Sequence, residues 1–343
     1  MHRRCTGAEE GPPFSRATAD PFRPFPIDHR VFMMTNSTTA FRHSFLWGGL
    51  GVLLFALVLT GCDSEDLGDS NPETPTIADY VTEIAAFSSL SEAVQEAGLA
   101  ETLDTGGPFT VFAPTNEAFS PPIDVTLDEQ VGERVLLHHV VSGAVTSDQL
   151  SDGQTVAPLE GSALTIGVGD NITVNRATVT NADANAENGV VHVIDRLLAD
   201  AVDRATLTPR FTIFARLVAE AGLDGALRAP GANDGRTIFA PTNAALLAAL
   251  DANDNGQIES GEIPANAADI LSYHVLDSVF LAADVPTTAT AVASLEGSDL
   301  TVVRDEASGT VTVNPNDEGA SVVVADVVVD NGVIHGIDTV LIP

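Results

Sequence analysis

Residues 251–262 read Asp-Ala-Asn-Asp-Asn-Gly-Gln-Ile-Glu-Ser-Gly-Glu. Side-chain oxygens fall at the first, third, fifth, ninth and twelfth positions, from Asp251, Asn253, Asn255, Glu259 and Glu262. Gly256 at the sixth permits a sharp turn, and Gln257 at the seventh offers its main-chain carbonyl. A cradle made only of oxygen, with this spacing, suits a hard divalent cation, and calcium is the ion it predicts. Glu262 would bind through both oxygens and Glu259 through a water, and Ile258 falls at the eighth position, usually apolar in such loops. Two of the ligands at positions one, three and five are neutral amides. The expected affinity is therefore weak, on the order of 10⁻⁴–10⁻³ M, and the ion's role is to stiffen a surface segment.

Histidines are the second set of residues able to do chemistry. His139 and His192 in the first half of the chain recur as His274 and His335 in the second, each flanked by Val, Ile or Leu. A metal centre or an acid–base pair would need further ligands recurring with them. There is no repeated cysteine, no His-x-x-x-His or His-Glu-x-x-His spacing, and no nucleophile elbow or phosphate loop. The favoured reading makes them core histidines, hydrogen-bonded to the Phe-Ala-Pro-Thr-Asn turn that also recurs, and predicts no catalytic residue.

The elements that must position these groups come in two copies. FTVFAPTNEAF (109–119) returns as TIFAPTNAAL (237–246), VLLHHVVSG (135–143) as ILSYHVLDS (270–278), PLEGSALTI (158–166) as SLEGSDLTV (294–302), and NGVVHVIDRLL (188–198) as NGVIHGIDTVL (331–341). The order is the same in both halves, so the chain carries a tandem duplication. From Asn243 to His274 the second copy is eight residues longer than the first from Asn116 to His139, and the acidic loop lies in that lengthened connector. A helical run, NAALLAAL, precedes the loop and NAADILSYHVL follows it, with Pro264 placing the helix restart at or just after itself.

Within each copy, helical signals precede strand signals. Ser89 and Glu92 have capping-box spacing, and the amphipathic run after them stops at Gly98. TVFAP alternates like a strand and ends at a proline, after which Thr115 or Asn116 can cap a helix. LTIGVGDNITVN (164–175) reads as a hairpin, and GVVHVID as a buried strand. That order predicts an α+β fold without a Rossmann-type alternation.

These segments resemble the fasciclin-type adhesion domain, through TVFAPTN at 110–116, TIFAPTN at 237–243, the Tyr273-His274 pair, and the Asn-Gly-x-[Ile/Val]-His-x-Ile-Asp strands at 188–195 and 331–338. The acidic loop is similar to that of an EF-hand, although it stands alone. The resemblance implies two tandem fasciclin-like domains, 77–200 and 201–343, each a wedge-shaped β-sandwich with helices packed on it. It also implies adhesion without catalysis, the partner being extracellular matrix, polysaccharide or a cell-surface protein. Receptor contact in that family would map to Tyr273 and His274, and to His138 and His139, where His138 stands in place of the tyrosine. A periplasmic glycan- or small-molecule-binding module is the alternative.

Composition narrows the setting. The formal charge is −33, all fifteen basic residues are arginine, and 44% of residues are hydrophobic. Nucleic-acid phosphates would be repelled by such a chain. Lysine-free acidity fits either concentrated salt, where charges are screened, or a GC-rich coding sequence. Residues 33–61 read as an export signal with an apolar core from Phe45 to Leu59, shorter than the ~20 residues of a membrane span. It ends in Leu-Thr-Gly-Cys, which resembles a bacterial lipobox and makes Cys62 the lipidated residue. An acidic tether, 62–76, follows. Residues 1–32 have no period, and translation is expected to start at Met33 or Met34. The protein is thus expected to be exported and lipid-anchored at the outer membrane or cell surface.

Overall fold

The first copy opens with helices α1 (Ile77–Glu83), α2 (Ser88–Glu96) and α3 (Ala100–Thr105), followed by strand β1 (Phe109–Pro114) and helix α4 (Glu129–His138). Strands β2 (Val140–Ser142), β3 (Thr155–Val156), β4 (Leu164–Val168), β5 (Ile172–Val174), β6 (Ala177–Ala186) and β7 (Gly189–Ile194) complete it. The second copy repeats this plan with α5 (Ala201–Leu207), α6 (Thr212–Glu220), α7 (Asp224–Arg228), β8 (Arg236–Pro241), α8 (Asn243–Leu250) and α9 (Ala267–Tyr273). Its remaining strands are β9 (Val275–Leu276), β10 (Thr290–Ala293), β11 (Asp299–Arg304), β12 (Val311–Val313), β13 (Ala320–Val329) and β14 (Gly332–Ile337). The computed structural model describes residues 74–231, 235–314 and 319–343. The export signal, Cys62 and most of the tether lie outside the described residues.

Each copy is mixed α+β, with its strands joined in one seven-stranded sheet. The order is β2-β1-β7-β6-β5-β4-β3 in the first and β10-β11-β12-β13-β14-β8-β9 in the second. β1 and β7 run parallel, as do β8 and β14, and the other pairs are antiparallel. The expected sandwich is realised by one sheet folding back until its edges nearly meet. Single bridges, Val141 with Pro158 and Leu276 with Ser294, link the two ends.

Alternation along β1 builds two cores from one strand. Val111 and Ala113 face the helices, together with Val191 and Val193 of β7. Phe112 and Ile194 point the other way, into the fold of the sheet, against Leu164, Ile166 and Val174. The second copy divides in the same manner, with Ile238 and Ala240 toward the helices and Phe239 inside.

The recurring asparagines explain why these motifs travel together. Asn116 Oδ1 accepts from Ser89 N at 3.0 Å while its Nδ2 donates to Ala85 O at 2.9 Å, so it caps α2 from a distance. Asn243 does the same for α6, accepting from Ile213 N and donating to Pro209 O. The capping box expected from Ser89 and Glu92 does not form, because this amide already holds the donor at the helix start. Thr242 caps α8, whereas Thr115, for which a cap was expected, precedes a 3₁₀ turn and makes no side-chain cap. Asn188 and Asn331 accept from the first helical N–H of their copies, Ile77 and Ala201. The glycine after each is required by close approach. A β-carbon on Gly189 would lie 2.0 Å from Phe109 O, and one on Gly332 would lie 2.0 Å from Arg236 O.

Candidate functional site

The acidic loop leaves α8 directly and folds on its own side chains. Asp251 takes hydrogen bonds from the N–H groups of Asn255 (3.1 Å) and Gly256 (2.7 Å). Glu262 reaches back across the loop, accepting from Ala252 N, from Asn253 Nδ2 at 3.0 Å and from Glu259 N. Asn255 Nδ2 donates to Glu259 at 3.1 Å. The first, third, fifth, ninth and twelfth positions are therefore gathered around one another. Gly256 has φ +78° and Asp254 φ +57°, the left-handed turns that bring this about. Ile258 is buried at 2% exposure in the helix-side core, and its carbonyl accepts from Arg216.

Whether these residues suit calcium turns on the two amides. Their NH₂ groups face Glu262 and Glu259, so a cation would require both to present oxygen instead, a rotation that swaps donor for acceptor. The donor set then fits an oxygen-seeking ion: Asp251, Asn253, Asn255, the Gln257 carbonyl, Glu259 and Glu262. No three His, Cys, Asp or Glu side chains gather as a metal cluster among the described residues, Asp251, Glu259 and Glu262 of this loop included, so a cation here would also need the amides and the carbonyl. The segment after it is not helical until Ala267, with Asn266 at its start, so the restart falls three residues beyond Pro264.

The repeated histidines are buried and occupied. His139 Nδ1 donates to Val135 O at 2.7 Å, and its Nε2 accepts from Leu198 N at 2.9 Å. His274 repeats this with Ile270 O and Leu341 N. Burial draws their proton affinities down, to about 3 for His139 and about 4 for His274, against the opposing pull of the carbonyls. His192 bonds Val145 O and Asp183 N, and His335 bonds Phe280 O and Asp326 N. Their rings do not bond the Phe-Ala-Pro-Thr-Asn turn; the expected link is made by main chain, Phe112 N donating to His139 O and Phe239 N to His274 O, both at 2.9 Å. That turn also supplies Phe112 and Phe239, register partners of His192 and His335 in the parallel strands, with rings stacked at 5.6 and 5.7 Å. Tyr273 is also buried, its hydroxyl donating to Asp299 O at 3.2 Å and accepting from Asn314 Nδ2 at 2.9 Å.

This doubled arrangement has a counterpart among known proteins. The family model for the fasciclin domain matches residues 85–200 and again 209–343. The chain belongs to the fasciclin family. A Synechocystis protein, sll1483, is 44% identical over 130 residues, covering 34% of this chain and 72% of its own. Pig transforming growth factor-beta-induced protein ig-h3 is 31% identical over 250 residues, covering 69% of this chain and 35% of its own. Human periostin is 33% identical over 181 residues, 50% of this chain and 21% of its own. The chain thus spans a minor part of these two longer relatives. A solved FAS1 domain pair from the insect cell adhesion molecule Fasciclin I is 19% identical, covering 75% of this chain and 97% of its own, with a TM-score of 0.37.

The two fasciclin domains meet along α5, the first helix of the second. Arg134 of α4 binds Asp203 through Nε at 3.0 Å, Arg204 donates to Pro121 O, and Asp124 N donates to Leu207 O. Arg228 joins Asp200 and Asp203 from the other side. An open cleft of about 1080 Å³ lies here, walled by Arg134, His138, Glu160, Arg176, Asp200 and Asp330, among others. His138, which the resemblance offered for receptor contact, lines this cleft. It is a ring bridging the domains, with Nδ1 at 2.7 Å from Glu160 and Nε2 at 2.9 Å from Asp330.

Sequence reasoning also missed an exposed pair. Leu159 and Leu295, in the equivalent Leu-Glu-Gly-Ser turns, are 39% and 36% exposed. Their backbones bond Val140 and Val275, directly after the His-His and Tyr-His pairs. The recurrence of the turn was visible in the sequence, but nothing in it distinguished an outward leucine from a core one.

Proposed function

We propose that this protein is a non-enzymatic, lipid-anchored adhesin of the cell surface, attaching through its two fasciclin domains to matrix, polysaccharide or a surface protein. The tandem fasciclin pair carries the reading. Cys62 supplies the anchor, and the acidic tether lifts the domains from the membrane. Catalysis by the repeated histidines is disfavoured because their ring nitrogens are committed to the backbone. Tyr273, His274, His138 and His139 act from beneath the surface, shaping the adjoining turns, and the contact itself falls to Leu159 and Leu295. Loop 251–262 holds calcium through Asp251, Asn253, Asn255, Gln257, Glu259 and Glu262, stiffening the connector between α8 and α9.

Protease treatment of intact cells tests the facing: release of both domains is expected, and full protection would favour the periplasmic binding module, whose ligand would enter the interdomain cleft. For the contact, a Leu159→Asp, Leu295→Asp double variant should keep its circular dichroism spectrum and lose most attachment of coated beads to matrix or glycan surfaces. Undiminished attachment would move the contact elsewhere.

A further inference from the structure

His138 and Tyr273 hold equivalent places in the two domains, yet they are wired differently. The Tyr273 hydroxyl is satisfied within its own domain. His138 stands between Glu160, in the Leu-Glu-Gly-Ser turn of its own domain, and Asp330, in the β13–β14 turn of the other. The three side chains are largely buried, at 11, 9 and 15% exposure. The equivalent of Glu160 in the second domain, Glu296, also accepts from the serine two residues on but meets no histidine.

Both ring nitrogens face carboxylate oxygens. A neutral imidazole carries one N–H, so it would donate to one carboxylate and turn a lone pair toward the other; only imidazolium donates to both. Loss of that proton therefore leaves one acid unpaired and two like charges on either side of an uncharged ring. The remaining charged groups in the cleft do not replace it. Arg134 is engaged with Asp203, and Arg228 with Asp200 and Asp203, while Arg176 lies on the wall. His139, next in the chain, is sealed between Val135 and Leu198.

We propose that His138 is a proton-operated latch that holds the two fasciclin domains closed across their cleft and releases them when it deprotonates. Burial works against the charged form, but the hydrogen bonds and charges of Asp330 and then Glu160 outweigh it, raising the ring's proton affinity above the ordinary value. A group raised on folding contributes fully below its unfolded value near 6.5, and that contribution is lost as pH climbs through the raised folded value. The latch is shut in acid-to-neutral solution and loosens on the alkaline side. Because α5 keeps its other contacts with the first domain, release widens the cleft without separating the domains.

The test uses the full chain with Cys5→Ser and Cys62→Ser, and spin labels at Ser162→Cys and Pro230→Cys, exposed residues on opposite walls of the cleft. Nitrogen-15 NMR of the His138 ring gives its titration midpoint, expected above 6.5 and lower in Asp330→Asn than in the unsubstituted protein. The label-to-label distance should lengthen and broaden through that same midpoint, with the short-distance population falling several-fold. In His138→Tyr the distance should not vary with pH. Should that variant fold poorly, Glu160→Gln with Asp330→Asn gives the same loss of pH dependence. A midpoint at or below 6.5, or a distance unchanged while the ring titrates, overturns the proposal.

Discussion

Replacing His274 by glutamine measures what a buried neutral histidine contributes to the second domain. The ring is fully enclosed, donates from Nδ1 to Ile270 O and accepts from Leu341 N through Nε2. Desolvation lowers its proton affinity from 6.5 to about 4. A depressed histidine is neutral in the folded state, so its contribution is complete above pH 6.5 and declines as acid protonates the unfolded chain preferentially. Each unit of difference corresponds to about 1.4 kcal/mol, so moving from pH 7.5 to 4.5 removes about 2–3 kcal/mol through this residue. Urea unfolding followed by Tyr273 emission, with Trp47 and Tyr80 replaced by phenylalanine, reads the second domain at both values. Glutamine should cost about 1–3 kcal/mol at pH 7.5, from imperfectly replaced hydrogen bonds. Its stability should then fall between the two values by about 2–3 kcal/mol less than that of the unsubstituted protein. An equally steep fall in both proteins would refute the reasoning and move the acid sensitivity elsewhere, His139 and His335 being the next groups to test.

Asn116→Ala and Asn243→Ala should each cost about 1–3 kcal/mol in their own domain, because each strands one helix-start N–H and one carbonyl; denaturant titration separates the two. Ile258→Ala should cost about 2–5 kcal/mol and loosen the acidic loop, as its side chain is the loop's anchor in the core; hydrogen exchange at Asn255–Gln257 reports the loosening. Millimolar calcium should raise the melting temperature of the second domain and leave the first unchanged, with saturable heat by calorimetry that disappears in Asp251→Ala. Absence of that heat in the unsubstituted protein removes the site.

What could be read in the sequence was what repeats locally. The period-2 pattern of TVFAP and GVVHVID marked strands, and doubling of the motifs marked two domains. The loop's spacing marked a self-contained cluster whose members lie within twelve residues. What could not be read was any partner set by the closing of the sheet. Asn116 looked like the start of the next helix, but the chain returns it to α2, with α3 in between, bonding Ser89 27 positions back. Phe112 and His192 lie far apart in sequence and become register neighbours only because β1 and β7 pair in parallel. A parallel pairing needs a long crossover, here the whole remainder of the domain, and no local pattern reports it.

His138 shows the same limit at its extreme. In the sequence His138 is only a histidine standing where the second copy has Tyr273, since the local pair alone is in view. Its second partner, Asp330, is 192 residues away and in the other domain. In a tandem repeat, the copies share an internal wiring, and a position that departs from the shared type is free to serve the junction. The seam makes this necessary: α5 occupies in the second domain the place that α1 holds in the first, yet only α5 has another domain to lean on. Asp203 and Arg204 on α5, and Asp330 beyond it, are therefore junction residues, bound to Arg134, Pro121 and His138. Where two copies differ at a buried polar position, the interface between them is the first place to look for the partner.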